Sequence, residues 1–176
     1  MHGTRLVAAL LLLSVLPHHA AEAQRRGNAP TQRSPSDARC TVARVVDGDT
    51  LECTTGDRVR LLMIDTPELG QRPYGSRARN ALLRLVPVGT DVRLEFDVRR
   101  TDRYDRLLAF VWTADGTLVN EEMLRLGMAE VLVIQPNVKY VERMRAARDK
   151  ARRDLVGLWD GTAFECTPRQ WRDGRC

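Results

Sequence analysis

Six residues of this chain have the types and spacing to do chemistry together. Asp49 lies in the turn Asp47-Gly48-Asp49-Thr50, and Asp65 and Thr66 end an apolar stretch that stops at Pro67. If those two stretches pair as strands, both carboxylates meet at one sheet edge. With the hydroxyl and carbonyl of Thr66 they form an all-oxygen set, the kind a hard cation such as Ca²⁺ selects. The order is not that of an EF-hand, because the D-x-D-x-D-G pattern is absent and Arg58 stands where the closing Glu would be needed. Glu68, three residues past Asp65, could deprotonate a water held beside such a cation. Arg60, on the same stretch as Asp65, and Arg106, after Asp102-Arg103-Tyr104-Asp105, could offset the charge that builds on a pentacoordinate phosphate. Each residue alone has a plainer reading, a common turn or a surface ion pair of small worth. Only the set points to a reaction.

The elements that must position these residues follow from periodicity. Polar and apolar residues alternate over 41–46 and resume over 50–54 across the Asp47-Gly48 turn, which predicts a β-hairpin. A third, buried strand is expected over 58–64, ending at Asp65. Residues 74–85 place Ala78, Ala81, Leu82 and Leu85 on one helical face, and strands follow over 92–97 and 107–112. Asn120 is placed to cap a short helix that ends at Gly127. A last helix is expected over 137–156, with Val138, Val141, Met144, Ala151 and Leu155 as its apolar face and Gly157 as its stop. Five strands with helices after the third and at the end predict an α+β, mainly β fold: a five-stranded β-barrel of OB type with three helices packed on it.

The ends of the chain carry other information. Arg5 precedes an apolar run over 6–16 that is followed by Ala21-Glu22-Ala23, the pattern of a signal peptide over 1–23. That run is shorter than the about 20 apolar residues of a membrane span, so the expectation is a secreted or periplasmic chain with no membrane anchor after cleavage. Residues 24–39 are too poor in apolar side chains to repay their ordering and read as a disordered leader. One domain is expected over 40–160, then a polar tail over 161–176, and the chain is expected to act as a monomer. Four cysteines in an exported chain favour two disulfides over a metal site. Three pairings are possible, and proximity favours Cys40 with Cys53 and Cys166 with Cys176. The formal net charge is +5 and Lys139 and Lys150 are the only lysines, so the basic side is nearly all arginine, which suits a polyanionic partner and equally a compositional bias.

The segment Val46-Asp47-Gly48-Asp49-Thr50, followed by Val59-Arg60-Leu61-Leu62-Met63-Ile64-Asp65-Thr66-Pro67-Glu68, resembles the signature of the staphylococcal nuclease family. The resemblance continues through Asp102-Arg103-Tyr104-Asp105-Arg106, Leu118-Val119-Asn120-Glu121, Leu126-Gly127-Met128-Ala129 and the last helix to Trp159. It implies an OB barrel with three helices. It also implies a calcium-dependent endonuclease acting on DNA and RNA with little sequence preference, leaving 3′-phosphate and 5′-hydroxyl ends. By matching motif positions, Asp49 and Asp65 would bind Ca²⁺ through carboxylates and Thr66 through its carbonyl. Glu68 would be the general base, Arg60 and Arg106 would bind phosphate and stabilise the transition state, and Arg103 and Tyr104 would contact the substrate. Three features depart from the pattern: Asp105 stands where the family usually has Gly, the loop after Glu68 is shorter, and Val133 and Gln135 replace two nucleotide-flanking tyrosines. The alternative is a non-catalytic OB-type nucleic-acid binder, a class that keeps the barrel and loses the acids.

Overall fold

The computed structural model describes residues 37–176; the expected signal peptide and most of the expected leader lie outside them. Five strands close a barrel in the order β1-β2-β3-β6-β5: β1 Asp37–Val45, β2 Thr50–Cys53, β3 Arg58–Leu61, β5 Asp91–Thr101 and β6 Leu107–Trp112. Neighbours pair antiparallel except β3 and β6, which run parallel. A separate two-stranded sheet joins β4 Ile64–Asp65 to β7 Glu130–Val131. The inward positions of the barrel strands supply Val42, Val45, Leu51, Val59, Leu61, Leu94 and Phe110, all essentially without solvent contact. Such closure leaves few unpaired strand edges.

Helix α1 Tyr74–Leu85 covers one end of the barrel with Ala78, Ala81 and Leu82, as its spacing predicts. Helix α2 Val119–Arg125 buries Val119, Met123 and Leu124, and α3 Val141–Arg153 packs on it through Met144, Ala147 and Ala151. A 3₁₀ turn Gly157–Asp160 and a fourth α-helix, α4 Pro168–Arg172, complete the chain.

Several expectations are corrected. The strand expected over 58–64 is broken after Leu61: Met63 takes a left-handed φ of 61° while 3 % exposed, and the chain turns there so that Ile64–Asp65 leaves the barrel to pair with β7. A non-glycine residue held there stores strain that the buried surroundings must offset. The last helix is shorter than 137–156, and Val138 and Leu155, outside it, are exposed. Asp37 to Arg39, read as leader, extend β1, where Asp37 pairs with Glu95 and Arg39 with Arg93. The tail, read as a loop, contains α4, so the described residues hold four α-helices rather than three. Asn120 does not cap α2, whose N-cap is Leu118 with no side-chain bond.

Both disulfides favoured by proximity are formed, Cys40 to Cys53 with a Cα–Cα distance of 5.4 Å and Cys166 to Cys176 with 6.0 Å. The first staples β1 to β2, which carry Asp49 at their junction, and both of its cysteines are buried. Replacing both by Ala is expected to destabilise the chain by about 3 kcal/mol, the loop-closure entropy of a short covalent ring. Urea denaturation measures this; a loss under about 1 kcal/mol would mean that the hairpin is held by its ladder and core alone.

Candidate functional site

Asp49 reaches the barrel edge because Gly48 has no side chain. A Cβ at Gly48 would stand 2.5 Å from Thr66 Oγ1 and 2.7 Å from the Ala78 Cβ, so the turn nests directly against Thr66 and α1. The Asp49 carboxylate, 7 % exposed, then accepts from Thr66 N at 3.2 Å and Thr66 Oγ1 at 3.3 Å through Oδ2, and from Thr50 Oγ1 at 3.2 Å through Oδ1. The Asp49 N–H donates to Asp47 Oδ1 at 3.0 Å. The β2–β3 register sets Thr50 opposite Arg60. From there Arg60 Nε lies 3.1 Å from Asp49 Oδ1, and Nη2 lies 3.6 Å from Asp65 Oδ1. One guanidinium thus engages both carboxylates, although Asp65 lies on β4, which pairs with β7 and not with the barrel strands around Asp49.

Glu68 is placed by its backbone. A Cβ at Gly75 would stand 2.1 Å from the Glu68 carbonyl oxygen, so α1 begins in contact with it. Gln71, 5 % exposed, clamps the loop: Glu68 N–H donates to Gln71 Oε1 at 2.8 Å and Gln71 N–H returns a 2.8 Å bond to the Glu68 carbonyl. Gln71 Nε2 also donates to the Cys166 carbonyl at 3.0 Å, tying this loop to the tail. From that tail Arg172 donates to both oxygens of Asp65, at 2.9 Å each, and to Glu68 Oε1 at 2.8 Å. Neither Gln71 nor Arg172 was singled out from sequence. Arg172 lies 107 residues from Asp65, and no local pattern carries that contact.

Across the cleft, β6 begins just after Arg106, held beside β3 by the pairing of Val59 with Leu107. Arg106 Nε and Nη2 lie 2.8 and 2.7 Å from Asp102 Oδ2. Burial works to raise the Asp102 carboxyl, but hydrogen bonds from the Arg106 side chain and from the Tyr104 and Arg106 backbone outweigh it and hold it below the usual carboxylate range. Asp105, with φ 59°, takes the left-handed conformation for which glycine is the natural residue. The acid that grips Arg106 is Asp102. Arg103 donates to Tyr104 Oη at 2.6 Å, and Tyr104 is 63 % exposed at the rim. Asp47, Asp49, Arg60, Asp65, Thr66, Glu68, Arg103, Tyr104, Arg106 and Arg172 all line one cleft of about 750 Å³. Gln135 lines it too, beside Leu132 and Ile134, whereas Val133 does not.

The electrostatics are unbalanced. Burial, with the Asp49 carboxylate beside it, pushes the Asp47 carboxyl up to about 6. Burial likewise raises Asp65, against the opposing pull of Arg172 and Arg60. The four carboxylates of Asp47, Asp49, Asp65 and Glu68 share the cleft with two guanidinium groups that engage them, Arg60 and Arg172. At this end of the cleft the carboxylates outnumber the guanidinium groups that engage them, while over the whole lining five acids, with Asp102, face five arginines, with Arg99, Arg103 and Arg106; the donors at the acidic end are oxygens, which fits a hard divalent cation. Among the described residues no group of three or more His, Cys, Asp or Glu side chains could hold a metal by itself.

Comparison with known proteins identifies the family of this chain. The family described as Staphylococcal nuclease homologue matches residues 58–161. Endonuclease YncB of Bacillus subtilis (strain 168) is 34 % identical over 151 residues, covering 80 % of this chain and 71 % of its own. Thermonuclease of Staphylococcus intermedius is 33 % identical, covering 76 % and 85 %, and an uncharacterized endonuclease of Escherichia coli O157:H7 is 36 % identical, covering 78 % and 86 %. With a closed five-stranded barrel and the signature acids and arginines gathered at one cleft, the chain belongs to the staphylococcal nuclease family and is a nuclease.

Proposed function

We propose that the chain is a secreted or periplasmic, calcium-dependent endonuclease that hydrolyses phosphodiester bonds of DNA and RNA with little regard for sequence, leaving 3′-phosphate and 5′-hydroxyl ends. The observation that carries this reading is the convergence of Asp49 and Asp65 on Arg60 in the cleft that also holds Glu68 and Arg106. Asp49 and Asp65 would hold the cation through carboxylates and Thr66 through its carbonyl. When bound, such an ion neutralises the carboxylates and polarises a phosphoryl oxygen.

The protein's own groups do the rest. Glu68 takes a proton from the attacking water as its oxygen bonds to phosphorus. Arg60 and Arg106 donate hydrogen bonds to the phosphoryl oxygens, where negative charge grows. The bond from phosphorus to the 5′ oxygen breaks, that oxygen gains a proton, and the phosphate stays on the 3′ side. Arg106 must exchange part of its Asp102 pairing for phosphate, a swap of one charge-assisted partner for another. Tyr104, at the rim with Arg103 bonded to its hydroxyl, would contact the nucleotide phosphate.

The amino-terminal apolar run and the two disulfides support export. No helix among the described residues is long and apolar enough to cross a membrane.

Turnover of denatured DNA is expected with Ca²⁺, none with chelator, and at least about tenfold less with Mg²⁺, which demands tight octahedral geometry and gives up its water reluctantly. Equal turnover with Mg²⁺ at matched concentration would count against the calcium assignment.

A further inference from the structure

The tail is attached to the loop after Glu68 and to the start of α1 at three places. Gln71 holds the Cys166 carbonyl, Tyr74 Oη and Thr162 Oγ1 are 3.1 Å apart, and the Trp171 ring lies over Gly70, 3.4 Å from where a Cβ would stand. The Cys166–Cys176 disulfide encloses α4, whose start is fixed by a capping box between Thr167 and Gln170 with Pro168 in the first turn. The result of this anchoring is one aimed side chain. The Arg172 fork covers both oxygens of Asp65 and one of Glu68. Asp65 is almost wholly enclosed, while the Arg172 side chain is 41 % exposed. An aliphatic stem with open space beside it can swing away; the carboxylate cannot.

We propose that Arg172 is a tethered cation that sets the site's affinity for its metal: it neutralises Asp65 and Glu68 when the metal is away and must leave them when the metal binds. The inference rests on the calcium reading given above. A cation coordinated by Asp65 at the usual 2.3–2.6 Å stands within a few ångströms of a guanidinium bonded to both oxygens of the same carboxylate, so the two positive charges repel and contend for the same lone pairs. Because the disulfide loop keeps Arg172 beside Asp65, the competitor is present at high effective concentration, and loosening the loop lowers it. Glu68 is freed by the same movement. Arg172 is thus a positioning residue that acts through Asp65 and Glu68.

The test titrates CaCl₂ alone, without nucleotide or nucleic acid, into the purified oxidised chain by calorimetry. Arg172→Ala is expected to bind Ca²⁺ about tenfold more tightly than the wild type, the scale of one strong, half-exposed, bidentate ion pair. Cys166→Ala with Cys176→Ala, which keeps the arginine and opens its tether, is expected to shift affinity in the same direction by a smaller factor, and it carries the test if the first variant fails to fold. Asp49→Asn serves as control and is expected to abolish binding. Unchanged or weaker affinity in both tail variants, with binding lost in Asp49→Asn, overturns the role of Arg172 and leaves the calcium site standing. Ca²⁺ binding absent from wild type and variants alike overturns both.

Discussion

Glu68→Gln is expected to lower turnover at saturating Ca²⁺ by about 10²–10⁴-fold, the range a positioned general base contributes. The amide has nearly the same shape as the carboxylate but cannot accept the proton that the attacking water must lose. Nothing in the fold depends on that carboxylate: the bonds to Gln71 run through the Glu68 backbone, and the side chain is 38 % exposed. The ion pair with Arg172 is lost, which at an exposed site costs at most about 1 kcal/mol. Thermal unfolding in chelator should therefore stay near that of the wild type while turnover falls. A folded variant with near wild-type turnover would remove Glu68 from the role of base.

Asn120→Ala is expected to destabilise the chain by about 3 kcal/mol, because buried polar groups left without partners cost on the order of 1–3 kcal/mol each. Asn120 has no solvent contact, and its side chain makes three bonds to backbone: it accepts from Val111 N–H at 2.8 Å and donates to the Leu62 and Ala109 carbonyls at 2.9 and 3.2 Å. It therefore joins α2 to β6 and to the turn at Leu62 and Met63 that aims Asp65 into the cleft. Against a usual total stability of roughly 5–15 kcal/mol, such a loss is large. The urea midpoint should fall with the slope unchanged. A change below about 1 kcal/mol would mean that water or neighbouring groups replace the amide.

The site and the barrel were legible in this sequence to different depths. The signature residues from Asp49 to Arg106 could be read because they lie in short ordered blocks, and the barrel strands because inward positions alternate with outward ones. Helix α1 was placed to the residue by its apolar spacing. What escaped depended on contacts distant in sequence. Asp37 to Arg39 hold only one apolar side chain, Ala38, and read as leader, yet their backbone completes the β1–β5 ladder. Met63 gives no local sign that it will take a positive φ; the turn is imposed by the pairing of Ile64 with Val131. Asn120 stands where a cap would stand, and only the folded barrel shows its amide turned inward. Arg172 belongs to a tail of polar residues, although Thr167-Pro168 with Gln170 does spell a helix start with a capping box and an early proline. That signal locates α4 but not what its last residue touches.

We propose that this cleft hydrolyses phosphodiester bonds with departure of the 5′ oxygen. This is tested most directly by end-group analysis of the first products formed from single-stranded DNA, duplex DNA and RNA by the purified chain in Ca²⁺, with Asp49→Asn as control. The expected products carry 3′-phosphate and 5′-hydroxyl ends on all three substrates, with no cleavage by the control. Products with 5′-phosphate ends, or binding of all three substrates without any cleavage, would contradict it.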